Sequence, residues 1–94
     1  MRIAEVIGTV TLVRVHPLLR GMRWVIAVPH NLKSLKAKTR ADGEDFVVLD
    51  EMHADIGQTI AVSEGVEAAM PFHPDKKPVD AYAAGILDTV VIQK

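Results

Sequence analysis

The sequence predicts a mainly all-β fold with one or two short helical turns: a five-stranded β-barrel of the oligonucleotide-binding (OB-like) type. Three observations predict it. β-Branched residues crowd several short segments while the 3.6-residue helical period is nearly missing. Proline and glycine punctuate those segments at short intervals. The five segments fit into 94 residues with one long connection after the second, and a short sheet of this kind avoids exposed edges by closing on itself.

The first strand is read from Ile3 to His16, where eight of fourteen residues are Val, Ile or Thr. Apolar side chains fall on both of its faces, so both faces are expected to be covered. Gly8 in its middle marks a bulge or sharp bend, and Pro17, which has no N–H to give a ladder, ends it. Leu18 to Gly21 is a turn. Met22 to Val28 is the second strand, closed by Pro29. From Asn31 to Asp45 the chain turns basic (Lys33, Lys36, Lys38, Arg40) and then reaches Asp42-Gly43, a turn dipeptide. This is read as a long hairpin connection with a short helical turn at Leu32–Ala37. Phe46 to Leu49 is the third strand, Asp50 to Asp55 an irregular crossing, Gly57-Gln58 a turn, and Thr59 to Ser63 the fourth strand, stopped by Glu64-Gly65. Val66 to Met70 is read as one helical turn and Pro71 to Pro78 as loop. Val79 to Ala84 suits a single turn capped by Asp80. Gly85 to Gln93 is the fifth strand.

Residues 1–94 are expected to form one domain. Hydrophobic residues make up 49% of the chain, more than a domain of this size can hide alone, so a partner subunit is the expected place for the excess. Eleven Lys+Arg against twelve Asp+Glu give a net charge of -1, unlike a protein that coats nucleic acid. With no cysteine, disulfide scaffolds, thiolate zinc sites and cysteine catalysis are excluded. No apolar run approaches the ~20 residues that span a bilayer, and the start of the chain lacks the pattern of a signal peptide. The expectation is a soluble cytoplasmic protein.

No catalytic motif is found: no G-x-S-x-G, no phosphate-cradling glycine loop, no paired carboxylates. No catalytic, cofactor-binding or metal-binding residue is assigned, and the chain is read as no enzyme. His53 and Asp55 would share one side of an extended chain and could serve a metal or proton relay; the plainer reading is a solvated turn ahead of Gly57. The run Lys33–Arg40 could track a nucleic-acid backbone. The acids at Asp42, Glu44 and Asp45 and the apolar setting of Trp24 favour a solvated hairpin tip instead.

Several blocks resemble one family. Met1-Arg2-Ile3-Ala4, Val6, Gly8-Thr9-Val10 and Leu19-Arg20-Gly21 are similar to the opening of the bacterial microcompartment vertex proteins, the carboxysome and ethanolamine-utilisation (CcmL/EutN-like) family. Asp50, Gly57 through Val62 and Glu64-Gly65 resemble its fourth-strand block. Pro78-Val79-Asp80-Ala81 with Gly85-Ile86-Leu87-Asp88-Thr89-Val90 resembles its C-terminal signature. The resemblance implies a homopentamer of five-stranded barrels that caps the five-fold corners of a microcompartment shell in the cytoplasm, beside hexameric shell proteins. It implies no catalysis, no cofactor, no membrane and no nucleic-acid partner.

A ring joins two different patches of each subunit. The candidate interface residues are Val10, Ala69, Met70, Val79, Asp80, Ala81 and Tyr82. The chain departs from the family where His53-Ala54-Asp55 replaces a usual Gly-Ala-Gly, and where Ala68-Ala69-Met70 replaces Ser-Ala-Arg. The first departure makes His53, Ala54 and Asp55 candidate pore-proximal residues: five copies around an axis would form a charged ring that responds to pH. The alternative function is an OB-fold module for single-stranded nucleic acid or a small ligand, which would be monomeric. A small enzyme subunit, active only with its partner, is a third reading.

Overall fold

A computed structural model describes residues 1–11, 17–65, 68, 70–72 and 79–91. Five strands form a closed barrel: β1 (Arg2–Val10), β2 (Trp24–Pro29), β3 (Phe46–Leu49), β4 (Thr59–Glu64) and β5 (Ala81–Leu87), in the spatial order β1-β2-β3-β5-β4. One helix, α1 (Leu32–Ala37), lies in the β2–β3 connection, and short 3-10 turns occupy Pro17–Leu19 and Met70–Phe72.

All neighbouring strands run antiparallel except β3 and β5, which meet in parallel at the single pair Leu49 and Tyr82. Two bulges bend the sheet into its corners. In β1 the register slips between Val6 and Gly8, leaving Ile7 extra, as Gly8 predicts. In β5 the partners of Ala61 and Val62 are Gly85 and Ala83, leaving Ala84 extra.

The barrel is narrow, so small side chains fill it. Ala4, Val6, Val25, Ala27, Val48, Ile60, Val62 and Ala83 are buried together, joined by Ala54 from the loop after β3. Arg2 lies over the Phe46 ring, 4.4 Å from its centroid, while its guanidinium pairs with Glu64. Trp24 and Leu49 alternate with the inward Val25 and Val48 and so face outward. There a second cluster forms from Leu19, Leu49, Ala68 and Val79, flanked by Met22, Trp24, Phe72 and Tyr82. It includes both residues of the β3–β5 pair, where the barrel closes with the fewest bonds.

Two readings of the sequence are corrected. The fifth strand is Ala81–Leu87, residues 88–91 of the expected Gly85 to Gln93 are outside it and residues 92–93 lie outside the described residues, and the capped turn expected over Val79–Ala84 does not form. Pairing along β4, from Glu64 with Ala81 to Thr59 with Leu87, overrides the weak strand propensity of the alanines. Alanine also fits the tight interior where valine would crowd. Asp80 therefore caps nothing; its carbonyl accepts the Gly65 N–H at 2.9 Å. The first strand ends at Val10, and residues 12–16 of its expected range lie outside the described residues. So do residues 66, 67 and 69 of the expected turn before Met70.

Candidate functional site

Asp50 follows β3 directly and is completely buried. Its carboxylate accepts the backbone N–H groups of Met52 at 2.9 Å and Ala54 at 2.6 Å, and Arg23 Nη1 at 2.7 Å. Arg23 Nη1 also donates to the Ala54 carbonyl at 2.9 Å, and the Arg23 carbonyl accepts the Asp50 N–H at 2.9 Å. An aspartate that reaches its own chain two residues on makes a tight local turn, and here it stands at the head of a loop. The far end is stapled as well: Gly57 N–H donates to the Val6 carbonyl at 2.7 Å, and Val6 N–H to the Gln58 carbonyl at 2.9 Å.

Between these fastenings the loop has little freedom. Ala54 is driven into the barrel core. His53 takes a left-handed backbone, φ 58°, which costs a non-glycine residue about 1–2 kcal/mol. The segment is thus not the extended chain in which His53 and Asp55 would share a side. Both are exposed, with the buried Ala54 between them. Among the described residues no three His, Asp or Glu side chains gather as metal ligands.

Tyr82 ties this loop to β5. Its hydroxyl is turned to the Glu51 carboxylate, and its ring meets Phe72 edge-on at 5.5 Å. Burial first, then the charge and hydrogen bond of Glu51 and the charge of Asp50, push the phenol above its ordinary value. The other interface candidates divide by exposure. Asp80 and Met70 are exposed, Val10 and Ala81 half-buried, and Val79 sits inside its own chain's outer cluster with little surface to offer. Ala69 lies outside the described residues.

The basic segment also has defined structure. Asn31 caps α1, its side chain accepting the Ser34 N–H at 2.7 Å, while the Ser34 hydroxyl accepts the Asn31 N–H at 3.1 Å, a reciprocal capping box. His30 Nδ1 lies 2.9 Å from that hydroxyl, which is already committed to the cap. Arg40 pairs with Glu5 at 3.3 Å. Lys33, Lys36 and Lys38 have no ion pair among the described residues. Large apolar side chains stand uncovered, among them Leu32 at 59% exposure, Ile56 at 66% and Met70 at 58%.

Sequence reasoning gave Arg23 and Glu51 no role. Arg23 finds Asp50 across 27 positions, a pairing with no local signature. An aspartate directly after an apolar strand and before an irregular crossing was the available sign of the turn.

Comparison with known proteins agrees with this geometry. The profile of the family described as "Ethanolamine utilisation protein EutN/carboxysome" matches residues 1–88. The bacterial microcompartment shell vertex protein GrpN of Rhodospirillum rubrum is 32% identical over 90 residues, covering 96% of each chain. The carboxysome shell vertex protein CcmL of Synechococcus elongatus is 30% identical over 93 residues, covering 99% of this chain and 89% of CcmL. The solved structure of the pentameric microcompartment shell protein GrpN from Rhodospirillum rubrum superposes with a TM-score of 0.82 at 29% identity, covering 99% of this chain and all of that one.

Proposed function

From the premise that this chain belongs to the EutN/CcmL family, we propose that it is a structural shell protein whose homopentamers cap the five-fold vertices of a bacterial microcompartment. Residues 1–94 act as one barrel domain. The protein acts by shape and catalyses nothing, and its place is the shell of that compartment in the cytoplasm. Its neighbours are hexameric shell proteins; nucleic acid and membrane are no partners.

The observation that carries this reading is the full-length likeness to a pentameric shell protein. The physics supports it. Leu32, Ile56 and Met70 are exposed on one copy, and burying apolar area gains about 25 cal/mol per Å². A heterologous ring gives each subunit two places to do so. Val10, Met70, Asp80, Ala81 and Tyr82 contribute to the boundary between subunits, with Val79 supporting it from inside. His53 and Asp55 line the central opening on the loop that Asp50 holds rigid, with Ala54 anchoring that loop in the core.

Native mass spectrometry tests the ring. A species at five times 10.3 kDa is expected, and Asp80→Lys, which places five new cations at the boundaries, is expected to return it to single chains. A monomer from the wild-type protein would overturn the reading. Electron microscopy of shells made with and without this chain tests the vertex role: corners are expected to be missing in its absence, and intact corners would refute the role.

A further inference from the structure

We propose that the basic face of α1 is the second half of the ring interface: Leu32, Lys33 and Lys36 of one copy seat on the acidic, apolar surface around Glu51, Met52 and Asp80 of the next. The inference rests on the pentamer reading and adds to it the patch that the candidate residues around Asp80 leave unmatched.

A closed ring needs two patches that differ and complement each other. The first is continuous around the β3–β5 junction. Glu51 stands beside the Tyr82 hydroxyl, Tyr82 touches Phe72, and Phe72 shares a turn with Met70. Glu51, Met52, Met70 and Asp80 are all exposed; among the described residues of this surface the uncommitted charges are acidic, Arg23 being held by Asp50, and the thioether side chains adapt to an irregular partner.

The second patch is its chemical opposite. Leu32, Lys33, Lys36 and Ala37 line one shallow, open stretch of surface. No acidic residue occurs from Asn31 to Ala41, and neither lysine is paired among the described residues. The capping box at Asn31 and the left-handed Lys38 that ends the helix hold these side chains on a fixed turn, which lowers the ordering cost of binding.

Topology keeps the two patches apart in one chain. The α1 segment precedes Phe46 and the acidic loop follows Leu49, so they leave opposite ends of β3. They can meet only between copies, head to tail. In that contact Lys33 and Lys36 face Glu51 and Asp80, while Leu32 covers Met52.

Charge reversal in the full chain tests the pairing, read as the protein concentration at half-assembly by native mass spectrometry and light scattering at low salt. Lys33→Glu/Lys36→Glu and, separately, Glu51→Lys/Asp80→Lys are each expected to raise that concentration by on the order of tenfold or more. The quadruple variant is expected to recover most of the loss. Lys33→Gln/Lys36→Gln is expected to give a smaller shift in the same direction, and circular dichroism should show the barrel intact throughout. A wild-type pentamer whose assembly ignores the lysine reversals, or a quadruple variant no better than the doubles, would overturn the pairing alone. A wild-type monomer would overturn the ring and the pairing together.

Discussion

Removing the Asp50 carboxylate should damage this protein more than its position outside any strand would indicate. In Asp50→Ala, Arg23 loses a carboxylate at 2.7 Å, the buried Ala54 N–H loses its acceptor, and Met52 N–H is freed. Met52 is exposed, so water can replace its bond at little cost. Ala54 is fully buried, and an unmet donor there costs about 1–3 kcal/mol. The Arg23 side chain is 28% exposed, enough for partial hydration but not full relief. Breaking a buried pair by removing one partner costs about 3–5 kcal/mol, and that exposure places this case toward the lower part of the range, near 3 kcal/mol. The assay is urea unfolding at matched protein concentration, followed by the fluorescence of Trp24, the single tryptophan. Concentration must be fixed because assembly stabilises the folded chain. Ile60→Ala, a core truncation worth about 2–5 kcal/mol, is the control. Hydrogen exchange at Ala54 should accelerate in the Asp50 variant beyond its global loss of stability, and should follow the global loss in the Ile60 variant. A cost under about 1 kcal/mol for Asp50→Ala, or equal local protection in both variants, would refute the role given to the Asp50 carboxylate.

Two further perturbations read other parts of the fold. Tyr82 is the only tyrosine, so phenolate absorbance near 295 nm reports it alone. Its native midpoint should lie above that of the unfolded chain, and Glu51→Gln should bring it part of the way back, because burial is the larger cause. A proton held more tightly in the folded state contributes stability below the unfolded value, lost as pH rises through the folded one. Stability should therefore fall on the alkaline side more steeply in the wild type than in Tyr82→Phe, and equal slopes would contradict this. Gly43→Ala would set a methyl group 2.7 Å from the Pro29 ring and 3.0 Å from its carbonyl. Overpacking of this kind costs about 1–3 kcal/mol, and a melting temperature equal to that of the wild type would show that the connection shifts freely.

The fold was legible where local chemistry and tertiary demand agree. Gly8 marks a bulge because a backbone without Cβ tolerates the slip, and β3 and α1 lie over the residues expected of them. Legibility failed at β5 for a definite reason. Propensity favours Thr89-Val90-Val91, yet the strand forms earlier, on Ala81 to Leu87, because that segment pairs along the whole of β4 and sends only the small Ala83, with Ala81 beside it, into an interior already filled by valine and isoleucine. Asp42-Gly43 carries a turn signal, while the decisive feature of Gly43 is its closeness to Pro29. His53 and Asp55 could be picked out as a departure from the family, but the full constraint on them could not: the Asp50 turn has a local sign, while Arg23, which joins Asp50 to the Ala54 carbonyl, comes from the other side of a strand pair.

That constraint bears on what the departure from glycine means. A loop free to relax would let an imidazole in place of glycine turn away from any neighbour. Here the flanking Met52 and Ala54 N–H groups are both held by one buried carboxylate, so the His53 backbone keeps its left-handed form despite the cost. The direction in which the His53 Cα–Cβ bond leaves the chain is therefore set by Asp50 and not by the residue's own backbone preference. Around a five-fold axis the same aim would repeat in every copy, and a rigid ring of side chains would follow from a contact made wholly inside each subunit. Loosening Asp50 should then blur the opening and weaken the ring together, because Glu51 and Met52 belong both to the loop that Asp50 holds and to the contact proposed for α1 of the next copy.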